Sequence, residues 1–138
     1  MSDYRPTVAI ASKNVIDRKE IVDRLDGSFY QLWPVGSASE VLELARTQSL
    51  DLVVLDYFLP DMTAPLSIEK IKDIDPGIRI IVMTDKISDA IERSARKQGI
   101  SFFAVKPTDL KYLRDAVRTA ILSRQRQQFI GNKRQQVA

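Results

Sequence analysis

A chain of 138 residues, 44% apolar and 28% charged, is one domain's worth of sequence with enough apolar mass for its own core, and nothing in its composition argues for disorder. It contains neither histidine nor cysteine, which excludes Ser-His and Cys-His nucleophilic catalysis and the usual zinc sites. The net charge of +3 is unevenly spread: five basic residues (Arg118, Arg124, Arg126, Lys133, Arg134) and no acidic ones follow from Ala116 onward, leaving a net −2 on the rest.

The first β-rich run covers residues 7–11 and ends at Ser12-Lys13. Ile16, Ile21, Val22 and Leu25 then follow helical spacing. A second apolar run, 30–35, contains Pro34, which restricts that strand to a sheet edge. Ser37-x-x-Glu40 is a capping-box signature that opens a helix over 40–48. The run 52–55 is continuously apolar and ends at Asp56; Pro65 suits the first turn of the next helix, which Pro76-Gly77 ends. The run 78–83 ends at Thr84, Ser88-Asp89 starts a fourth helix, and Gly99 closes it. The last run, 101–105, ends at Lys106-Pro107, after which Thr108-Asp109 is expected to cap a fifth helix through Leu110, Leu113, Val117 and Ile121.

Five strand–helix units in strict alternation predict an α/β fold: a doubly wound, five-stranded parallel sheet with helices on both faces. The order 2-1-3-4-5 puts the Pro34 strand at an edge, as proline requires. Residues 1–122 form the predicted domain, and 123–138 read as an extended C-terminal helix, basic tail or linker. Ligands of such sheets bind beyond the carboxyl ends of the strands. Four strand ends therefore bring Ser12 and Lys13, Asp56, Thr84 and Lys106 to one edge. Each alone is an ordinary turn or cap residue; their coincidence points to a site.

The segments Leu52-Val53-Val54-Leu55-Asp56, Leu59-Pro60-Asp61-Met62, Ile80-Ile81-Val82-Met83-Thr84 and Phe102-Phe103-Ala104-Val105-Lys106-Pro107 resemble those of response-regulator receiver domains over residues 6 to about 122. The resemblance implies a non-enzymatic signalling module of two-component or phosphorelay pathways, in which Asp56 accepts a phosphoryl group. It implies that Thr84 is the hydroxyl that follows the phosphoryl group, Lys106 the lysine that pairs with the acceptor, and Phe103 the switch aromatic. The donor it implies is a histidine kinase or phosphotransfer protein, with homodimerisation or partner binding through helix 4, strand 5 and helix 5. A cytoplasmic location follows from that role and agrees with the absence of cysteine. Neither a membrane span nor a signal peptide is expected.

The sequence departs from the family where receivers carry the acidic pair that holds magnesium: those positions are Ser12 and Lys13. At ~4 Å and an effective dielectric of about 20, a lysine repels the ion by roughly 4 kcal/mol per unit charge. Magnesium binding is therefore expected to be weak or absent. Lys13 and Lys106 are expected to bracket Asp56, which would hold the Thr84–Phe103 link in one state. Asp85 stands where a small residue is usual, so it either pairs with Lys13 or crowds the phosphate. An alternative is a pseudo-receiver that docks partners without phosphorylation. A small phosphohydrolase using Asp56 lacks the second aspartate such enzymes need. Nucleic-acid binding by the basic tail alone lacks a supporting helix-turn-helix or aromatic pattern.

Overall fold

The computed structural model describes residues 4–25 and 27–137, with side chains through residue 131. In chain order it runs β1 (Thr7–Ala11), α1 (Val15–Arg24), β2 (Gln31–Val35), α2 (Ala38–Thr47), β3 (Leu52–Asp56), α3 (Ala64–Ile74), β4 (Arg79–Thr84), α4 (Asp89–Arg96), β5 (Phe102–Val105), a 3-10 turn (Thr108–Tyr112) and α5 (Leu113–Val137). All strand pairs are parallel and the sheet order is β2-β1-β3-β4-β5. Pro34 lies exposed on edge strand β2, where its missing N–H breaks no ladder.

Side-chain alternation along the strands builds two apolar layers. Ala9, Val53, Leu55, Ile80 and Val82 face α2, α3 and α4, with Val41, Ile68, Ile71 and Ala95 packed on them. Val8, Ile10, Val54, Ile81 and Met83 face α1 and α5 through Ile21, Leu113, Val117 and Ile121. Because β1, β3 and β4 are buried on both faces, they read as unbroken apolar runs. Each fully buried Val, Leu or Ile contributes about 2 kcal/mol relative to exposure.

Two of the expected caps differ. Ser37 accepts from Glu40 N at 3.3 Å, but Glu40 reaches back to Gly36 N (2.7 Å), so the capping box closes one residue early. Its place is contested by Asp61, whose two oxygens accept from Ala38 N and Ser39 N at 2.9 Å each. Asp109 does not cap the fifth helix, which opens as a 3-10 turn behind Pro107 without a side-chain cap. Its carboxylate instead satisfies Val105 N on edge strand β5 at 2.8 Å. At the other helix ends, Ser88 caps α4 through Ile91 N. Gly99, at φ +75°, closes the turn after it.

Asp61 thus gives the Leu-Pro-Asp-Met segment a structural purpose. Bonds from Ala38 N and Ser39 N hold its carboxyl below the usual carboxylate range. Asp61→Ala is expected to cost about 1 kcal/mol in urea unfolding at neutral pH. A depressed folded pKa stabilises above the unfolded value and is lost as pH falls through the folded one. Wild type and variant should therefore converge in acid; a constant gap down to strongly acidic pH would show that the charged carboxylate contributes nothing.

Candidate functional site

The strand register sets the site. Asp56 ends β3 opposite Met83, and Thr84 ends β4 opposite Val105, so Asp56, Thr84 and Lys106 emerge at the carboxyl edge of adjacent strands. Tyr57 N bonds Met83 O and Lys106 N bonds Thr84 O, both at 2.7 Å, so the ladder continues past the chemical groups and fixes their spacing. They open on a cavity of about 360 Å³ whose charged lining is Lys13, Lys86 and Lys106 against Asp17, Asp56 and Asp85.

Lys106 is the centre of this arrangement. Its Nζ lies 2.9 Å from Asp56 Oδ1 and 2.9 Å from Asp17 Oδ2, and its side chain is only 12% exposed. Burial works against the ammonium charge, but the hydrogen bonds to Asp56 and Asp17 outweigh it and hold Lys106 above the usual lysine range. Among the described residues, Asp56 has no second hydrogen-bond partner, which leaves Oδ2 facing the cavity. Thr84 is buried, and its Oγ1 accepts from Lys86 N at 3.1 Å.

The expected pair of lysines around one aspartate is instead a pair of aspartates around one lysine. Lys13 lines the cavity but is exposed, and it forms no ion pair with Asp56 among the described residues. A long, exposed lysine gains more from hydration than from a bond to a carboxylate already neutralised by Lys106. Asp85 is also exposed and makes no ion pair with Lys13 among the described residues. Ser12 is fully buried, and its Oγ accepts from Asn14 N at 3.3 Å. Arg18 Nη1 donates to its carbonyl at 2.6 Å. Ser12 is thus part of the β1–α1 turn.

Asp17 was not among the expected site residues. An acid in the first turn of a helix is ordinarily accounted for by the helix dipole. Lys86 was also missed; its Nζ sits 5.0 Å from the Phe58 ring centroid, and Phe58 in turn packs edge-on against Tyr57 at 4.8 Å. Tyr57 shares a 3.0 Å hydrogen bond with Ser94, tying the residue after Asp56 to α4. Phe103 is 6% exposed, turned into the core, with the Arg96 guanidinium 5.9 Å from its ring centroid.

A family model for the response regulator receiver domain matches residues 8–118. The chain is 33% identical over 90 residues to sporulation initiation phosphotransferase F of Bacillus subtilis, covering 64% of this chain and 72% of that protein. It is 34% identical over 89 residues to the regulatory protein LuxO of Vibrio cholerae, covering 63% of this chain and 19% of that protein. Among solved structures, the signal receiver domain of a LuxO repressor protein from Vibrio parahaemolyticus superposes with a TM-score of 0.79. That match covers 92% of this chain and 98% of the other at 20% identity, and establishes likeness of fold. The chain thus spans most of the Bacillus protein but about a fifth of the Vibrio regulator. No described helix is long and apolar enough to cross a membrane.

Proposed function

Since this chain belongs to the response regulator receiver domain family, a family of two-component signalling, we propose that Asp56 is its phospho-acceptor, with a phosphohistidine on a histidine kinase or phosphotransfer protein as donor. The observation that carries the reading is the 2.9 Å bond from Lys106 to Asp56 Oδ1, beside an Oδ2 that faces the cavity. A carboxylate nucleophile splits phosphoryl transfer into two easier steps through an acyl phosphate. Lys106 and Thr84 then neutralise and orient the phosphoryl oxygens. Such a partner implies the cytoplasm. Output would pass through α4, β5 and α5 to another protein or a second copy. A groove between β5 and α5, lined by Phe102, Tyr112 and Ala116, supports protein contact at that part of the face. Residues 1–122 would be the receiver and 123–138 a connecting helix, its first two residues anchored on the body.

The test is incubation with acetyl phosphate and intact-mass measurement. A gain of one phosphoryl group, absent in Asp56→Asn, is expected. One observation favours the second reading, a phosphorylation-independent docking module: Lys106 already neutralises Asp56 while anchored to Asp17. That reading predicts no gain under any condition, together with unchanged partner binding in Asp56→Asn.

A further inference from the structure

The family implies magnesium at this site, and the residues do not fit it. Magnesium prefers octahedral oxygen coordination, usually through one or two carboxylates with waters and substrate phosphate. Among the described residues there is no group of three or more His, Cys, Asp or Glu able to hold a metal. Ser12 is folded into its own turn, Lys13 is an exposed lysine lining the cavity, and of the two further carboxylates there Asp17 is bonded to Lys106 and Asp85 is exposed to water.

We infer that Lys13 and Lys86 supply the positive charge a divalent cation would bring, so that Asp56 takes a phosphoryl group without metal. This rests on the reading of Asp56 as acceptor. An acidic pair, an acceptor aspartate and one lysine leave a site at −2, which a divalent ion cancels. Here three lysines face three aspartates in one cavity, and the charge is cancelled by the protein itself. A dication entering a neutral cavity gains no net attraction to offset its dehydration.

The three lysines divide the work. Lys106 is committed to Asp17 and Asp56. Lys13 and Lys86 have no carboxylate partner among the described residues, so their charges remain for an incoming anion. Lys86 is held at the mouth at two points. Its backbone N–H bonds Thr84 Oγ1, and its ammonium rests over Phe58, which Tyr57 braces. In the reaction, Asp56 Oδ2 attacks phosphorus as the bond from phosphorus to the donor breaks. The donor keeps the bonding electron pair, leaving as acetate from acetyl phosphate, or from phosphohistidine as an imidazole ring whose freed nitrogen takes a proton from solvent as the bond breaks, giving neutral imidazole. The carboxylate becomes an acyl phosphate with one more negative charge, developing in the cavity that Lys13 and Lys86 line.

The experiment follows intact mass over time with acetyl phosphate, in magnesium and in EDTA. Equal rates of phosphoryl gain are expected in both. Lys13→Ala with Lys86→Ala should slow the gain in EDTA by about tenfold, less than for a rigid buried donor because both lysines sit at a solvated mouth. Lys70→Ala, an exposed α3 lysine outside the cavity lining, should leave it unchanged. Lys13→Asp should make the gain magnesium-dependent. Gain by wild type only in magnesium, or a double variant as fast as wild type, overturns the inference and leaves Asp56 as acceptor. No gain in either condition overturns the acceptor reading and this inference with it.

Discussion

Arg124→Ala is expected to lower the unfolding free energy by about 3 kcal/mol, a fall in Tm of about 10 °C, without touching the candidate site. Arg124 lies in α5 at the amino-terminal end of the sheet, away from Asp56, and is 7% exposed. Its guanidinium reaches Asp75 Oδ2 at 2.8 Å, Asp51 Oδ1 at 3.5 Å and the Leu50 carbonyl at 3.3 Å. Asp51 is 2% exposed and also accepts from Thr7 N and the Tyr4 hydroxyl. Truncating Arg124 strands that carboxylate away from water and from its only ion-pair partner among the described residues. By contrast, the Lys19–Asp23 and Arg96–Glu92 pairs are solvated, so their truncation should leave stability nearly unchanged.

Two controls separate this account from simple loss of packing. Asp51→Asn combined with Arg124→Met should recover most of the loss, because no buried charge is left alone. Gly77→Ala should also destabilise, since its added methyl would collide with Arg124 Nη1. Acid gives a third reading. Burial alone would raise the Asp75 pKa, but the bonds from Arg124 and Gly77 N outweigh it and hold the carboxyl low. Its stabilisation is therefore present above the ordinary carboxylate range and lost as pH falls through the depressed value. Arg124→Ala should flatten that acid limb. A loss under 1 kcal/mol at neutral pH would mean water already reaches Asp51.

The same cluster illustrates what a sequence conveys. Burial dictates periodicity, so the runs ending at Asp56, Thr84 and Lys106 announced the strands, their order and the edge where those groups meet. Pro34 placed β2 at the rim for a reason local to its own ring. Which charged tips touch is a different matter. Asp17 and Lys106 are separated by 89 positions, and their contact depends on how far the Lys106 stem reaches across the carboxyl edge of the sheet, past Asp56, to the first turn of α1. Arg124 looked like one more charge of a basic tail, since a helix residue's burial there depends on Gly77 and Asp75 of another loop. Lys13 stood at the right backbone position, yet a long stem lets its ammonium choose water. Backbone placement was legible; side-chain pairing at the solvated edge was not.

Lys106→Met is the second large effect. It keeps the unbranched stem and removes the ammonium from between Asp17 and Asp56. If Asp56 is an acceptor, its phosphoryl gain should fall by about 100-fold or more, the scale of removing one preorganised charge donor. The stability loss should be smaller, about 1–2 kcal/mol, because Asp56 borders an open cavity that water can enter. Asp17→Asn is the informative companion. It cuts one arm of the bridge and leaves Lys106 on Asp56, so it should weaken the fold slightly while sparing most of the phosphoryl gain. A lysine whose folded pKa is raised stabilises below its unfolded value, and that stabilisation disappears as pH rises through the folded one. Urea unfolding at alkaline pH should therefore bring wild type toward Lys106→Met, whereas the two differ most near neutrality. Phosphoryl gain at the wild-type rate in Lys106→Met would remove Lys106 from the chemistry and leave it as a strut between α1, β3 and β5.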